Sequence, residues 1–311
     1  MYILGSGLAG CLAAIRHERA LVIEANEQAT VNHRAVLRMR SEVVSQLTGI
    51  PFKKVTIRKF VYDDESGYSK VATPEQIITY SLKATNTLSV RSIVNLNDDV
   101  RYIPPHDFHQ QLLNRLDGRI QFGRKVQSVD RDFICTDLGI THRTDMPVIS
   151  TIPLHAMLRI TKTEHDFLFV GMHKKIHVSE FELANCNLHM TIYFPDFETN
   201  IYRVSFIGNI LNIESIGELT QSDIHNIFEM FHLYKNQSNV IVLNHEQNLG
   251  KITPIDDVKR KSLLFKLTSD LGIYSLGRFA CWRNILLDDV VHDIDQINRM
   301  MTTHPYERAL S

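Results

Sequence analysis

The fold turns on "YILGSGLAGCLAAI", residues Tyr2 to Ile15, and on "ALVIEA", Ala20 to Ala25, which follows it closely. Tyr2 to Leu4 read as a short buried strand, residues 8–16 as a helix rich in small side chains, and residues 20–25 as a second buried strand. This is a β-turn-α-β unit in fewer than thirty residues, and its turn carries Gly5, Gly7 and Gly10. Gly5 permits the tight turn, Gly7 lets the backbone approach a diphosphate, and Gly10 lets the helix lie close on the sheet. The helix N-terminus adds free N–H groups and the positive end of its dipole. Glu24 ends the second strand about twenty residues beyond Gly5, where a carboxylate accepts hydrogen bonds from ribose hydroxyls. An acid at that place disfavours a 2'-phosphate, so NADP is set aside and NAD and FAD remain.

Working outward, a chain of 311 residues has room for two domains. No apolar run approaches the roughly 18 residues of a membrane span, so a soluble, cytoplasmic protein is expected. The 34 basic and 35 acidic residues nearly cancel, which leaves no global field for nucleic acid or an anionic membrane. The dense basic stretch "HRAVLRMR", residues 33–40, reads as a solvated or phosphate-facing segment. Cysteines 11, 135, 186 and 281 form no CxxC pair, so neither a zinc site nor a disulfide framework is indicated and reduced thiols are expected. His106 and His109 lack a third ligand; they are expected to face solvent, and no metal is expected.

The segment "VQSVDRDFICTDLGITHRTDMPVIST", residues 126–151, reads as a β-meander returning to a central strand. "DFLFVGM", "LHMTIYF", "IYRVSFIG" and "ILNIES" read as an antiparallel sheet of their own, followed by an amphipathic helix from Thr220. A helix near 258–268, a strand in "GIYSLG" and a long helix to about 301 close the chain. Residues 60–104 show no clear period and read as inserted or lid-like. The expected fold is α/β: a Rossmann-like cofactor-binding domain with a parallel sheet and β-meander, plus an inserted antiparallel-sheet substrate domain. The first comprises residues 1–50, 105–160 and 250–311, the second 51–104 and 161–249.

The C-terminal run "GIYSLGRFACWRNILLDDVVHDI" decides between the two cofactors. An extended FAD must be covered at its ring end, where a returning strand and helix N-terminus stabilise negative charge on the reduced flavin. The pattern therefore selects FAD.

"YILGSGLAGCLAAI...LVIEAN", "PVISTIPLHAML", "IYFPDFETNIYRVSF" and "SLGRFACWRNILLDDVV", in that order, resemble the FAD-binding superfamily of UDP-galactopyranose mutase, protoporphyrinogen oxidase and the amine oxidases. The last two stretches look most like the mutase branch. The resemblance implies that Gly5, Ser6, Gly7, Leu8, Ala9, Gly10, Glu24 and Ala25 hold the ADP half of non-covalent FAD. It places Val126 against the adenine, and Thr151, Gly277, Arg278, Leu287, Asp288 and Asp289 along the flavin and ribityl chain. Arg34, Arg38 and Arg40 are placed to reach the diphosphate. Arg203 and Arg278 match the active-site arginines, with Tyr202 and Trp282 beside them as further catalytic candidates. A guanidinium suits that role because its fixed fork holds phosphate or carboxylate by two hydrogen bonds.

Asn284 and Leu286 stand where the mutases carry a tyrosine and an aspartate that help hold the nucleotide sugar, which argues for a different substrate. The expected activity is an amine oxidase-like oxidation of a small anionic or nucleotide-linked substrate by hydride transfer to flavin N5. The alternative is a non-redox mutase or lyase acting on a nucleotide sugar or modified nucleobase.

Overall fold

The computed structural model describes residues 1–30, 36–88, 92–143, 146–169, 173–233 and 240–303. Arg34 lies outside the described residues. The chain opens with β1 (Tyr2–Leu4), α1 (Leu8–Arg16), β2 (Leu21–Ile23), α2 (Val43–Thr48), β3 (Lys53–Asp63), β4 (Gly67–Ser69), α3 (Pro74–Thr85) and β5 (Asp99–Ile103). It continues through α4 (Phe108–Arg115), β6 (Ile120–Gln121), β7 (Val126–Val129), β8 (Phe133–Thr136), β9 (Gly139–His142), β10 (Val148–Ser150) and α5 (Leu154–Ile160). The remainder is β11 (His173–Glu182), β12 (Leu188–Tyr193), β13 (Ile201–Gly208), β14 (Ile210–Ser215), α6 (Gln221–Met230), β15 (Val240–Ile252), α7 (Asp257–Leu271), β16 (Ile273–Ser275) and α8 (Leu287–Thr303).

A five-stranded parallel sheet, ordered β16-β10-β1-β2-β6, joins the two ends of the chain. Both faces of such a sheet must be covered, so its short strands are mostly apolar. Ile3 packs on one side with Leu12 of α1 and Val290 and Ile294 of α8. Leu4 packs on the other with Ile134 of the meander, Leu158 of α5 and Leu267 of α7. The β7-β8-β9 meander and the C-terminal stripe form as the sequence predicts, with Val290, Val291, Ile294 and Ile297 buried.

A second sheet runs β15-β11-β14-β13-β12-β3-β4, with β5 paired to β3. Three of the four expected strands are present, but "DFLFVGM" is not one of them. Residues 166–169 carry no strand, residues 170–172 lie outside the described residues, and β11 begins at His173. The aromatic side chains of that segment pack elsewhere: Phe169 meets Trp282 edge-on, with ring centroids 5.0 Å apart.

Residues 60–104, read as inserted or lid-like, carry regular elements in their described part. They hold the end of β3, β4, α3 and β5, elements too short and too broken by turns to show a period. Thr73 and Gln76 form a capping box at α3, and Tyr80 and Ala84 pack against Tyr193 and Tyr202. The fully buried Lys83 Nζ donates to the carbonyls of Phe194 (3.1 Å), Ile201 (2.6 Å) and Asp196, tying this helix to the β12–β13 connection. Among the described residues, no helix is long and apolar enough to cross a membrane.

A Cβ at Gly10 would stand 1.9 Å from the Gly5 carbonyl oxygen, a backbone atom that cannot swing aside. Gly10→Ala is therefore expected to lower stability by at least about 2 kcal/mol, read from the denaturant midpoint.

Candidate active site

The glycine turn is held from beneath. Gly5, at φ +96°, donates its N–H to the Ile23 carbonyl at 2.8 Å, and a Cβ there would meet Thr151 Oγ1 at 2.4 Å. Thr151 itself donates from Oγ1 and from its N–H to the Leu4 carbonyl, at 2.7 and 2.9 Å. Glu24 is buried and accepts from the Ser6 N–H (2.7 Å), the Ser6 hydroxyl (2.8 Å) and the Asn26 N–H (2.9 Å). Its carboxylate thus shapes the turn as well as standing at the expected place, while Ala25 beside it is exposed.

The Ser6 carbonyl lies 3.1 Å from His109 Nε2 and accepts the Cys11 thiol at the same distance. Burial, reinforced by Glu24, pushes that thiol up to about 12. The solvent-facing role expected of His109 is overturned by this contact: the ring is 4 % exposed because α4 packs on α1. His106 reaches Glu180 Oε2 at 3.0 Å. Helix geometry leaves the N–H groups of Leu8, Ala9 and Gly10 without an intrahelical acceptor.

The C-terminal segment returns to this turn through β16. Gly277 has φ +95°, and a Cβ on it would stand 2.9 Å from Ala9 Cβ. Arg278 donates from Nη2 to the Ile285 carbonyl at 3.1 Å. At α8 the acidic pair does something the sequence reading missed. Asp288, almost fully buried, accepts from the N–H and hydroxyl of Ser41 (2.9 and 2.8 Å) and from the Arg40 N–H (3.0 Å). Asp289 pairs with the Arg40 side chain and accepts from the Leu286 N–H at 2.9 Å. Both carboxylates clamp the segment after β2 onto α8. The Asp289 N–H, expected to face a ligand, donates instead to the Leu286 carbonyl at 3.1 Å. Leu287 and Asp288 keep the free N–H groups of the first turn.

A cavity of about 400 Å³ lies between the glycine turn and the second sheet. Leu8, Ala9, Gly277, Arg278 and Leu287 line one side, and Arg38, Lys59, Arg101, Arg203 and Lys251 line the rest with Tyr193 and Glu214. Asn284 and Leu286 are also in its wall. Among the described lining residues there are six cations and one carboxylate.

That carboxylate, Glu214, has no exposed surface and binds Arg203 through both oxygens, one of them 2.7 Å from Nη2. Burial pushes the Glu214 carboxyl up, but Arg203, with Lys251 and the Tyr202 hydroxyl, together hold it below the usual carboxylate range. Arg203 is held well above its ordinary value, its burial outweighed by Glu214 together with Tyr202 and Tyr80.

The structure brings Arg203, Arg278, Arg38, Leu8, Ala9, Gly277 and Leu287 to one cavity, and it leaves two catalytic candidates outside the wall. Tyr202 is fully buried behind Arg203, its hydroxyl donating to Glu214 Oε1 at 3.1 Å. The ladder is bulged between Ile201 and Arg203, so both neighbours reach Glu214, but the Tyr202 ring packs with Tyr80, Tyr193 and Val178 and does not line the cavity. Trp282 packs with Phe169 and Phe279 and donates from Nε1 to the Thr253 carbonyl at 3.0 Å. Neighbouring Cys281 is buried, donates to the Ser275 carbonyl at 3.2 Å and is pushed up to about 12, chiefly by burial. Val126 opens the meander opposite Thr136.

The sequence reading missed Lys59, Arg101 and Lys251. A signal existed on β3, where Lys59 shares the alternating inward face of Val55, Ile57 and Val61. Arg101 and Lys251 carry no such mark, because their roles arise from strands distant in sequence.

The sequence matches no known protein-family profile and no curated protein. Its structure is similar to solved ones over nearly its whole length. A reduced UDP-galactopyranose mutase shares 15 % identity at TM-score 0.72, covering 98 % of this chain and 94 % of that one. A fatty acid isomerase from P. acnes shares 11 % at 0.62, covering 96 % and 97 %. Putrescine oxidase with bound putrescine shares 10 % at 0.60, covering 97 % and 98 %. The fold is therefore that of the group whose motifs the sequence resembles.

Removing the Glu214 carboxylate would strand Arg203 without its partner. Glu214→Ala is expected to cost about 3–5 kcal/mol in urea unfolding. Because this carboxyl titrates below its ordinary 4.5 in the folded chain, its contribution is complete above that pH and fades as pH falls through the folded value. The wild type should lose stability more steeply than Glu214→Gln on acidification, read from thermal midpoints across that range.

Proposed function

We propose that this chain, folded as those enzymes are, is an FAD-dependent enzyme acting on a small anionic substrate held between its two sheets. The carrying observation is that the first turns of α1 and α8 and the Gly277 turn meet at one cavity whose opposite wall is cationic. The turn fits a diphosphate. A Cβ on Gly7 would meet nothing within 4 Å, whereas one on Gly5 or Gly10 would strike protein. The open space thus lies at Gly7, beside the free N–H groups of α1. The first turn of α8 offers its own N–H groups to the electron-rich edge of a flavin ring.

Bound there, FAD supplies a two-electron acceptor at its N5. The chain's own residues bind, orient and shelter the substrate. Arg278 and Arg203 hold its anionic group, with the Glu214 pair fixing the Arg203 fork, and Tyr193 and Ile285 exclude water from the cavity wall. The leading reaction is an oxidation of an anionic or nucleotide-linked substrate by hydride transfer. The second reading, a non-redox mutase or lyase, is favoured by the likeness to the mutase at TM-score 0.72. Asn284 and Leu286 in the wall argue for a substrate other than the mutase's own nucleotide sugar.

The purified protein is expected to be yellow or to take up FAD. Anaerobic bleaching of the visible band by a small anionic amine supports the oxidation, and turnover only after dithionite reduction supports the second reading. A folded protein that refuses FAD overturns both. Gly7 has φ −64°, which any residue adopts, so Gly7→Ala should keep the thermal midpoint yet weaken FAD at least about tenfold, or about 1.4 kcal/mol, in a fluorescence titration.

A further inference from the structure

The sheet side of the cavity carries more positive charge than its carboxylates neutralise. Glu214 is engaged by Arg203, and Asp99 is shared by Lys59 and Arg101, the latter at 2.9 Å. Arg38 has no carboxylate partner among the described residues. Its Nη1 donates to Thr191 Oγ1 and its Nη2 to the Met190 carbonyl at 3.4 Å, while its Nε is shielded from solvent with no acceptor among the described residues. Thr191 lies opposite Ser205, one rung along the same face from the Tyr193–Arg203 pair, so two guanidiniums share this end of the cavity. Burial, and then repulsion from Arg203, pushes Arg38 down to about 10. A half-buried cation facing a second cation is unfavourable unless an anion completes the site.

We propose that Arg38, Lys59 and Arg101 form a second anion subsite, distinct from the glycine turn and from Arg278, that takes a phosphoryl group of the substrate. Three cations reaching inward from three separate segments suit a tetrahedral dianion, whereas a carboxylate is satisfied by one guanidinium fork. A phosphoryl group has two possible sources here, the substrate and the diphosphate of FAD, and the proposal commits to the substrate. It rests on the flavoenzyme reading for the identity of that substrate.

The test titrates pyrophosphate calorimetrically into protein already loaded with FAD, so that the glycine turn is filled, and compares wild type with Arg38→Gln. Wild type is expected to bind one equivalent, and the variant to bind at least about tenfold more weakly while keeping the FAD spectrum and affinity. Should Arg38→Gln fail to fold, the double variant Lys59→Met with Arg101→Gln reads the same loss. Equal binding by wild type and variant, no binding by wild type, or a variant that loses FAD affinity instead would each overturn the subsite. A wild type that takes up no FAD overturns the flavoenzyme reading; the difference between wild type and Arg38→Gln in pyrophosphate affinity still decides the subsite.

Discussion

The structure depends on the close approach of three backbone turns that only glycine permits. Gly10 lets α1 rest on the Gly5 carbonyl, Gly5 leaves room for the Thr151 side chain after β10, and Gly277 lets the loop after β16 touch Ala9. These contacts hold the ends of β1, β10 and β16 at one edge of the parallel sheet. Because β16 is reached only near the end of the chain, the edge assembles the site from both extremities. Each contact is a matter of excluded volume, which makes the geometry intolerant of even a methyl group.

The second organising force is electrostatic. The second sheet carries a buried polar row on the face of Arg203, with Thr191, Ser205, Asn212 and Glu180 on successive strands in register. Buried groups of this kind need partners: Glu180 accepts from Asn212 at 3.1 Å and meets His106, and Glu214 holds Arg203. Positive charge is nevertheless in excess at Arg38. A cavity so arranged carries a positive potential before any detail of shape is considered.

The acidic pair at α8 shows how one residue can serve two levels of structure. Asp288 and Asp289 complement the helix dipole, and their carboxylates also bind Arg40 and Ser41, fixing the segment that carries Arg38 to the wall. The position of a cation on the sheet side is thereby coupled to the N-terminus of the last helix.

The sequence by itself determined the local elements around the glycine turn. Gly5, Gly7, Gly10 and Glu24 sit on a strand, a turn and a helix whose signals lie within one short window, and the stripe of α8 repeats at helical spacing. Excluded volume and periodicity are local properties, so they can be read in order along the chain. Only the tertiary structure decided which side chains face the cavity. Tyr202 and Arg203 are adjacent on a bulged stretch of β13 and both bond Glu214, yet Tyr202 is sealed in the core while Arg203 lines the cavity. Lys59, Arg101 and Lys251 join them from β3, β5 and β15, because strand pairing brings together charges that stand far apart along the chain. Their electrostatic energy depends on distances that no stretch of sequence contains.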